Sequence, residues 1–268
     1  QIASKTKIDE LVVNKLSKMG IVPSDVCGDS EFLRRVSLDL TGTLPTAEEV
    51  QQFIADSSPD KREQKIDELL ERPGYAAWWT TKLSDYTGNN NQLLNNVLPN
   101  RNMPGTFWYE WIHSRVEQNV PYDQIIEGIV VSNSQEKDES YADYTSTMTK
   151  IMADENHQFA DRKSMPFFWA RRNVRQPEEK ALSFAYSFMG IRIQCAQCHK
   201  HPFDQWTQDD YNQFTKFFTR VQYGRDPEDR QEYAAMMKEL GVDKLRGGEQ
   251  RRKLYQLARE GKAVPLQE

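Results

Sequence analysis

Cysteine is scarce in this chain of 268 residues, which contains three cysteines and four histidines. Three cysteines are too few for the disulfide framework that stabilises many small secreted domains, and Cys27 has no obvious partner. The scarcity therefore excludes a disulfide-rich scaffold. It also makes the few thiols and imidazoles the first candidates for chemistry.

Neither sign of charge dominates, and long apolar runs are absent. Charged residues make up 28% of the chain, the formal net charge is −5, and both signs are interspersed. A nucleic-acid-binding protein would carry a clustered excess of lysine and arginine, so no nucleic-acid partner is predicted. Because no apolar run reaches the length that spans a bilayer, no membrane span is predicted either.

Signals for β-hairpins, internal repeats and a signal peptide are also missing from the sequence. The chain starts at Gln1 directly before a helical pattern, so we expect a mature or excised segment rather than a complete gene product. Its length is sufficient for one large or two small domains with hydrophobic cores.

Helical signals are abundant instead. Thr46 and Glu49 have the spacing of a capping box, and Thr207 with Asp210 opens a later helix in the same way. Asp29 suits the N-cap position of the helix that follows it. These patterns predict an all-α fold.

We expect an irregular multi-helix domain with long loops. The stretch Ser132–Thr147 is polar and unpatterned, which predicts a long loop. The helical domain is predicted to span residues 1–225. Residues 226–268 are predicted to form a C-terminal helical extension that leads to a further domain outside this chain.

Two of the cysteines and two of the histidines lie in one short stretch, Cys195-Ala-Gln-Cys198-His199-Lys-His201. Its C-x-x-C-H spacing is typical of covalent attachment of a c-type haem. Thiols three residues apart can each add to one vinyl group on the same porphyrin edge, and His199 then offers an imidazole nitrogen to the iron. The motif predicts one covalent haem c, held by Cys195, Cys198 and the proximal ligand His199, in a loop between helices.

Three other interpretations of the motif remain open. A C-x-x-C pair can form a redox disulfide, although that motif normally opens a helix in a βαβ setting. Cys195 and Cys198 could hold zinc with His199 or His201, although a second ligand pair at the usual spacing is missing. The cysteines could also be small buried apolar residues.

Two longer stretches, Phe32–Thr46 and Cys195–Tyr211, together resemble a planctomycete domain of unknown function. In that family the domain often accompanies planctomycete-type cytochrome c domains, and its C-x-x-C-H-x-H-P-F-D element corresponds here to Cys195–Asp204. The resemblance runs from about residue 7 to about residue 223. It implies a periplasmic or secreted location within a larger bacterial protein, and it assigns no activity.

A second, distal iron ligand must come from elsewhere, because His201 is too close to His199 to reach the opposite haem face. The ranked candidates are His157, Met165 and His113. A surface histidine, ordinary core packing and a half-buried helix histidine, respectively, are their alternative interpretations. The remaining methionines considered for this role are Met103, Met148, Met152 and Met189.

His201 and Asp204 are predicted to support the iron ligand, with Asp204 accepting a hydrogen bond that fixes an imidazole tautomer. At an open haem site they could act as acid–base groups, and the alternative is that they only shape the turn. Several arginines could neutralise haem propionates, although solvated helix faces also explain most of them: Arg34, Arg35, Arg171, Arg172 and Arg175.

Two functions from different classes follow. The first is an extracytoplasmic, c-type cytochrome-like module that transfers electrons or acts on a small oxidant, with a redox partner protein or an adjacent cytochrome domain as its partner. The second is a non-redox extracellular structural or binding module whose C-x-x-C-H loop holds zinc or free thiols. No catalytic residue is assigned in either case.

Overall fold

The computed structural model describes residues 6–94, 104–131, 133, 135–153, 159–224 and 228–266. It is 62% helical, and the described residues form thirteen α-helices and no strand, which confirms the predicted all-α class. The helices are α1 (Lys7–Lys18), α2 (Asp29–Thr41), α3 (Ala47–Ala55), α4 (Lys61–Leu70), α5 (Pro73–Thr87), α6 (Pro104–Glu117), α7 (Tyr122–Val130), α8 (Tyr141–Ala153), α9 (Phe167–Ala170), α10 (Pro177–Phe184), α11 (Gln208–Lys216), α12 (Arg230–Glu239) and α13 (Gly247–Arg259).

The chain forms two compact units, and the boundary between them lies after Tyr75, within α5. The first unit comprises residues 1–75 and the second comprises residues 76–268. The boundary predicted at residue 225 lies outside the described residues and stays a prediction. Leu254 and Leu257 of α13 are buried in the large core of the second unit.

The first unit has a small core built by three helices. Leu33 of α2, Phe53 of α3 and Leu69 of α4 are buried, and the ring of Phe32 stacks on that of Phe53 with centroids 5.9 Å apart. The predicted capping box is confirmed, because the Thr46 hydroxyl accepts from the amide of Glu49 and the Glu49 carboxylate accepts from the amide of Thr46. Helix α1 buries none of its residues.

Asp29 is not an N-cap, contrary to the prediction. Gly28 occupies that position, and Asp29 is the first residue of α2. Its carboxylate instead forms ion pairs with Lys61 at 2.7 Å and Arg62 at 2.6 Å. Hydrogen bonds from Lys61 and Arg62 hold the pKa of Asp29 below its usual value. A tertiary ion pair thus outweighs the local capping preference and joins α2 to α4.

The second unit is built around an aromatic core, which we call the main core. Trp108, Trp111 and Ile112 of α6 are almost fully buried in it. Gly128 of α7 packs so closely that a Cβ atom there would lie 2.6 Å from the Trp111 ring, so this position requires glycine. The indole N–H of Trp111 donates to the carbonyl of Arg162 at 2.8 Å, which satisfies its buried polar atom.

Helix α8 corrects the prediction of a loop over Ser132–Thr147, because the helix begins at Tyr141. Its buried face carries tyrosine and threonine rather than aliphatic residues, so the sequence lacks the expected apolar stripe. The buried residues of this face are Tyr141, Tyr144, Thr145, Met148 and Thr149. None of the helices in the described part of the chain is both long and apolar enough to cross a membrane.

Candidate functional site

The C-x-x-C-H motif follows an unusual helix end. After α10 the chain makes a π-helical turn over Ala185–Met189, and this turn ends at Gly190. Gly190 has φ 63°, a left-handed conformation that glycine adopts without steric cost. The amides of Gly190 and Ile191 both donate to the carbonyl of Ala185. This turn sets the direction in which the chain enters the motif.

The first part of the motif forms a 3₁₀ helix over Gln194–Gln197. Ile193 and Ala196, three residues apart, are buried, whereas Cys195 and Cys198 are exposed. A 3₁₀ helix has three residues per turn, so each pair shares one side of the helix. The buried pair therefore anchors the turn while the two thiols face solvent.

Four buried residues form what we call the platform cluster: Ala185, Ile193, Ala196 and Tyr211. Tyr211 belongs to α11, and its hydroxyl oxygen accepts a hydrogen bond from the side-chain amide of Gln197 at 2.9 Å. This bond ties the 3₁₀ turn to α11.

Local capping fixes the start of α11 beneath the motif. The Thr207 hydroxyl accepts from the amide of Asp210, and the Asp210 carboxylate accepts from the Thr207 amide at 2.8 Å, which confirms the predicted box. The Thr207 amide and then its hydroxyl lower the pKa of Asp210. The side chain of Gln208 donates to the carbonyl of Gln197 at 3.0 Å, a second link between helix and motif.

His199 is exposed and has a defined tautomer. Its Nδ1 lies 2.7 Å from the carbonyl oxygen of Lys200. Because a carbonyl can only accept, Nδ1 carries the proton, and the neutral ring has its lone pair on Nε2. This hydrogen bond is of the kind that orients metal-ligating imidazoles.

His201 and Asp204 shape the turn between the motif and α11. The Nδ1 atom of His201 accepts from the amide of Phe203 at 3.3 Å, and the amide of His201 donates to the carbonyl of Trp206 at 2.8 Å. Asp204 accepts from the adjacent amide of Gln205 at 2.7 Å. The described bonds of Asp204 thus serve the backbone rather than an imidazole.

Of the ranked distal candidates, the two that lie in the described residues, Met165 and His113, are not part of the platform cluster. Met165 is fully buried in the main core. His113 lies on α6, where its ring stacks on Tyr109 and its Nδ1 is 4.0 Å from a carboxylate oxygen of Glu117. His157 lies outside the described residues, as do Met103 and the side chain of Met152. Met148 is also in the main core.

Met189 and Trp206 are the neighbours of the motif that the ranking passed over. Both line a cavity of about 40 Å³ together with Ile193 and Ala196. The indole Nε1 of Trp206 is buried and has no acceptor within the described part of the chain. Met189 directly precedes Gly190, which ends the helix just before the motif. This closeness in sequence is the signal that could have identified Met189 as a neighbour of the motif.

No group of three or more histidine, cysteine, aspartate or glutamate side chains in the described ranges is arranged to hold a metal ion. All three cysteines are free thiols. Cys27 is half-buried in the first unit, and its carbonyl accepts from Arg62 at 2.9 Å.

A family model described as PSCyt2, a protein of unknown function (DUF1549), matches residues 7–223. This chain belongs to that family. The PSCyt2 match contains the whole C-x-x-C-H motif and every residue of the platform cluster. No curated protein and no solved structure matches the chain.

Proposed function

We propose that this chain is an extracytoplasmic c-type cytochrome-like module that carries one covalent haem. Cys195 and Cys198 would hold the haem by thioether bonds, and His199 would be the proximal iron ligand. The observation that carries the proposal is the exposure of these three side chains on one turn that Ile193 and Ala196 anchor from below.

The donor set fits the chemistry of attachment. Both thiols are free and accessible, as addition to the vinyl groups requires. The Lys200 carbonyl holds the proton on Nδ1 of His199, which leaves Nε2 as the ligand atom. The buried Nε1 of Trp206 is one further donor beside the motif that an acceptor on a bound group would satisfy.

The cavity beside the motif limits what the described residues contribute. Its volume is about 40 Å³, whereas pockets that enclose a ligand of drug size measure about 300–1,000 Å³. The described residues therefore fit attachment and proximal ligation, and they do not enclose the faces of a macrocycle. A second ligand to the iron would have to come from a residue or partner outside this cluster.

When bound, haem c supplies one-electron transfer, or small-oxidant chemistry if one axial position is open. We propose a redox partner protein or an adjacent cytochrome domain as the electron partner. Phe203 is 95% exposed next to the motif, and exposed aromatic side chains are enriched where proteins dock. The extracytoplasmic location belongs to the same proposal and is supported by the resemblance to secreted planctomycete proteins.

The test is expression of the chain together with a c-type haem maturation system, followed by ultraviolet–visible spectroscopy and intact mass measurement. We expect a Soret band and a mass increase of one haem. The double variant Cys195→Ser/Cys198→Ser should lose both signals, because no thiol remains at the motif. Cys27→Ser, which removes the third cysteine, is the matched control and should retain both.

A further variant, His199→Ala, separates attachment from ligation. It should keep the added mass while shifting the Soret band, because the thiols remain but the proximal imidazole is lost. The unfolding free energy of the double cysteine variant should stay within about 0.5 kcal/mol of wild type, since its side chains are exposed. An unmodified mass without a Soret band would reject the haem proposal, and stoichiometric zinc in that protein would support the non-redox alternative.

A further inference from the structure

A second cavity of the second unit, with a volume of about 530 Å³, has a basic lining. It lies between the segment that leads into α10 and the segment that follows α11. Arg171, Arg175 and Lys180 all line it, and Trp169 and Tyr223 add aromatic surface. No part of the C-x-x-C-H motif lines this cavity.

Lys180 is a buried cation with little compensation. Lys180 is 5% exposed, and its ammonium group donates to the carbonyl of Val221 at 2.5 Å. An ammonium group has three N–H donors, so one carbonyl oxygen leaves most of its hydrogen-bonding capacity unused. Burial lowers the pKa of Lys180.

Arg171 repeats the pattern. The residue is 6% exposed, its Nε donates to the carbonyl of Phe168 at 3.0 Å, and its Nη2 bonds the hydroxyl of Ser183. Its guanidinium also lies over the Phe168 ring, 4.3 Å from the centroid. All of these partners are neutral, and burial lowers the pKa of Arg171 to about 10.

Another buried cation of the second unit, Arg162, does have a counter-charge. Arg162 is also buried, and Glu139 neutralises it through two hydrogen bonds of 3.1 and 2.7 Å. In the described residues, neither Arg171 nor Lys180 has a carboxylate within ion-pair distance. Two buried positive charges therefore meet at one cavity without a carboxylate in direct contact, and Glu179 acts on Lys180 only at longer range. Such burial is costly unless a mobile anion supplies the missing charge.

The start of α10 adds to the positive potential of the cavity. Gln176 and Pro177, at the N-terminus of this helix, line the same space. The N-terminal end of a helix carries partial positive charge. Glu179 offsets part of it by accepting the amides of Arg175 and Gln176, but three cationic side chains face one carboxylate here.

We propose that this cavity binds a small organic oxyanion, with Lys180 and Arg171 as its principal charged contacts. The oxyanion can be a phosphate, sulfate or carboxylate group on a compact organic body. Lysine and arginine are the side chains that bind such groups by charge-assisted hydrogen bonds. The volume exceeds what an inorganic ion needs, and Trp169 and Tyr223 can cover an apolar part of the ligand.

Titration calorimetry with phenyl phosphate and with inorganic phosphate tests the proposal at constant ionic strength. The full chain is used in the Cys195→Ser/Cys198→Ser background, so the result is independent of haem attachment. We expect phenyl phosphate to bind more tightly than inorganic phosphate. Lys180→Met should weaken phenyl phosphate binding about tenfold or more, because it removes a charge-assisted hydrogen bond.

Lys216→Met is the matched control, because Lys216 is an exposed lysine of α11 that does not line the cavity. It should leave the dissociation constant unchanged. Circular dichroism reports whether Lys180→Met folds, and if it does not, Arg175→Gln replaces it, with an expected loss of about threefold. No heat of binding at millimolar phenyl phosphate, or equal affinity in the cavity variant and the control, would overturn the proposal.

Discussion

Two groups of buried side chains in the second unit differ in size and in what they support. The main core contains large aromatic residues such as Trp108, Trp111 and Phe168, whereas two of the four residues of the platform cluster are alanines. Buried apolar area scales with side-chain size, so stability resides mainly in the main core. The platform cluster orients one short turn. Chemistry at the motif can therefore change with little effect on folding.

The largest expected effect is in the main core. Trp111→Ala should lower the unfolding free energy by about 3–5 kcal/mol, because it leaves a cavity beside Gly128 and removes the bond to the Arg162 carbonyl. Urea denaturation measures the change. Phe203→Ala is the control at the motif, where the exposed ring should contribute less than about 0.5 kcal/mol. Similar losses in both variants would break the contrast between the two regions.

A smaller effect concerns the ion pair of Arg162 and Glu139. Burial raises the pKa of Glu139, but hydrogen bonds from Arg162 and from the amide of Glu136 outweigh it and hold the pKa below its usual value. A depressed carboxyl pKa stabilises the fold above the unfolded-state pKa, and this stabilisation is lost as the pH falls through the folded-state value. Glu139→Gln should therefore destabilise the protein by about 1–3 kcal/mol at pH 7.

The difference between wild type and Glu139→Gln in denaturation curves should begin to shrink below about pH 4.5, where the carboxyl of the unfolded chain gains its proton. It should be lost at the lower pH at which the native carboxyl is protonated. Glu31→Gln is the control, because Glu31 pairs with Arg35 on the surface at 3.7 Å. Such exposed pairs contribute about 0–1 kcal/mol. A difference for Glu139→Gln that does not vary with pH would contradict the assignment.

The smallest effect is expected at the platform cluster. Tyr211→Phe removes the oxygen that accepts from Gln197 while keeping the buried ring. We expect a loss of about 1 kcal/mol in thermal or urea unfolding, which is typical of one neutral hydrogen bond. Tyr86→Phe, at an exposed tyrosine, should show no comparable loss. A loss as large as that of Trp111→Ala would give the cluster a greater role in stability than its size indicates.

Local signals predicted much of the helical fold. The capping boxes at Thr46 and Thr207 depend on residues three positions apart, and the structure contains both. The sequence does not indicate the start of α8 because the buried face of this helix carries tyrosines and threonines. The Thr145 hydroxyl donates a hydrogen bond to the carbonyl of Tyr141, which allows this polar side chain to be buried. Asp29 was misassigned because its partners lie more than thirty residues away.

The site was predictable in composition but not in arrangement. The spacing of Cys195, Cys198 and His199 is visible in the sequence, but the burial of Ile193 and Ala196 depends on a 3₁₀ turn that packs on α11. The buried state of Lys180 follows from its tertiary surroundings. A charged residue in a helical pattern is ordinarily assigned to the solvent face.

The π-helical turn at Ala185–Met189 acts as a register shift in the chain. Each of its hydrogen bonds spans five residues instead of four, so the turn accommodates one residue more than an α-helix would. Deleting a single residue there would restore the ordinary α-helical repeat and leave the chain that follows in nearly the same orientation, because the wider turn takes up the extra residue. The same deletion within a regular α-helix would rotate the following chain by about 100° around the helix axis. The π turn therefore lets the chain between α10 and the motif hold one more residue without changing the direction in which the motif begins.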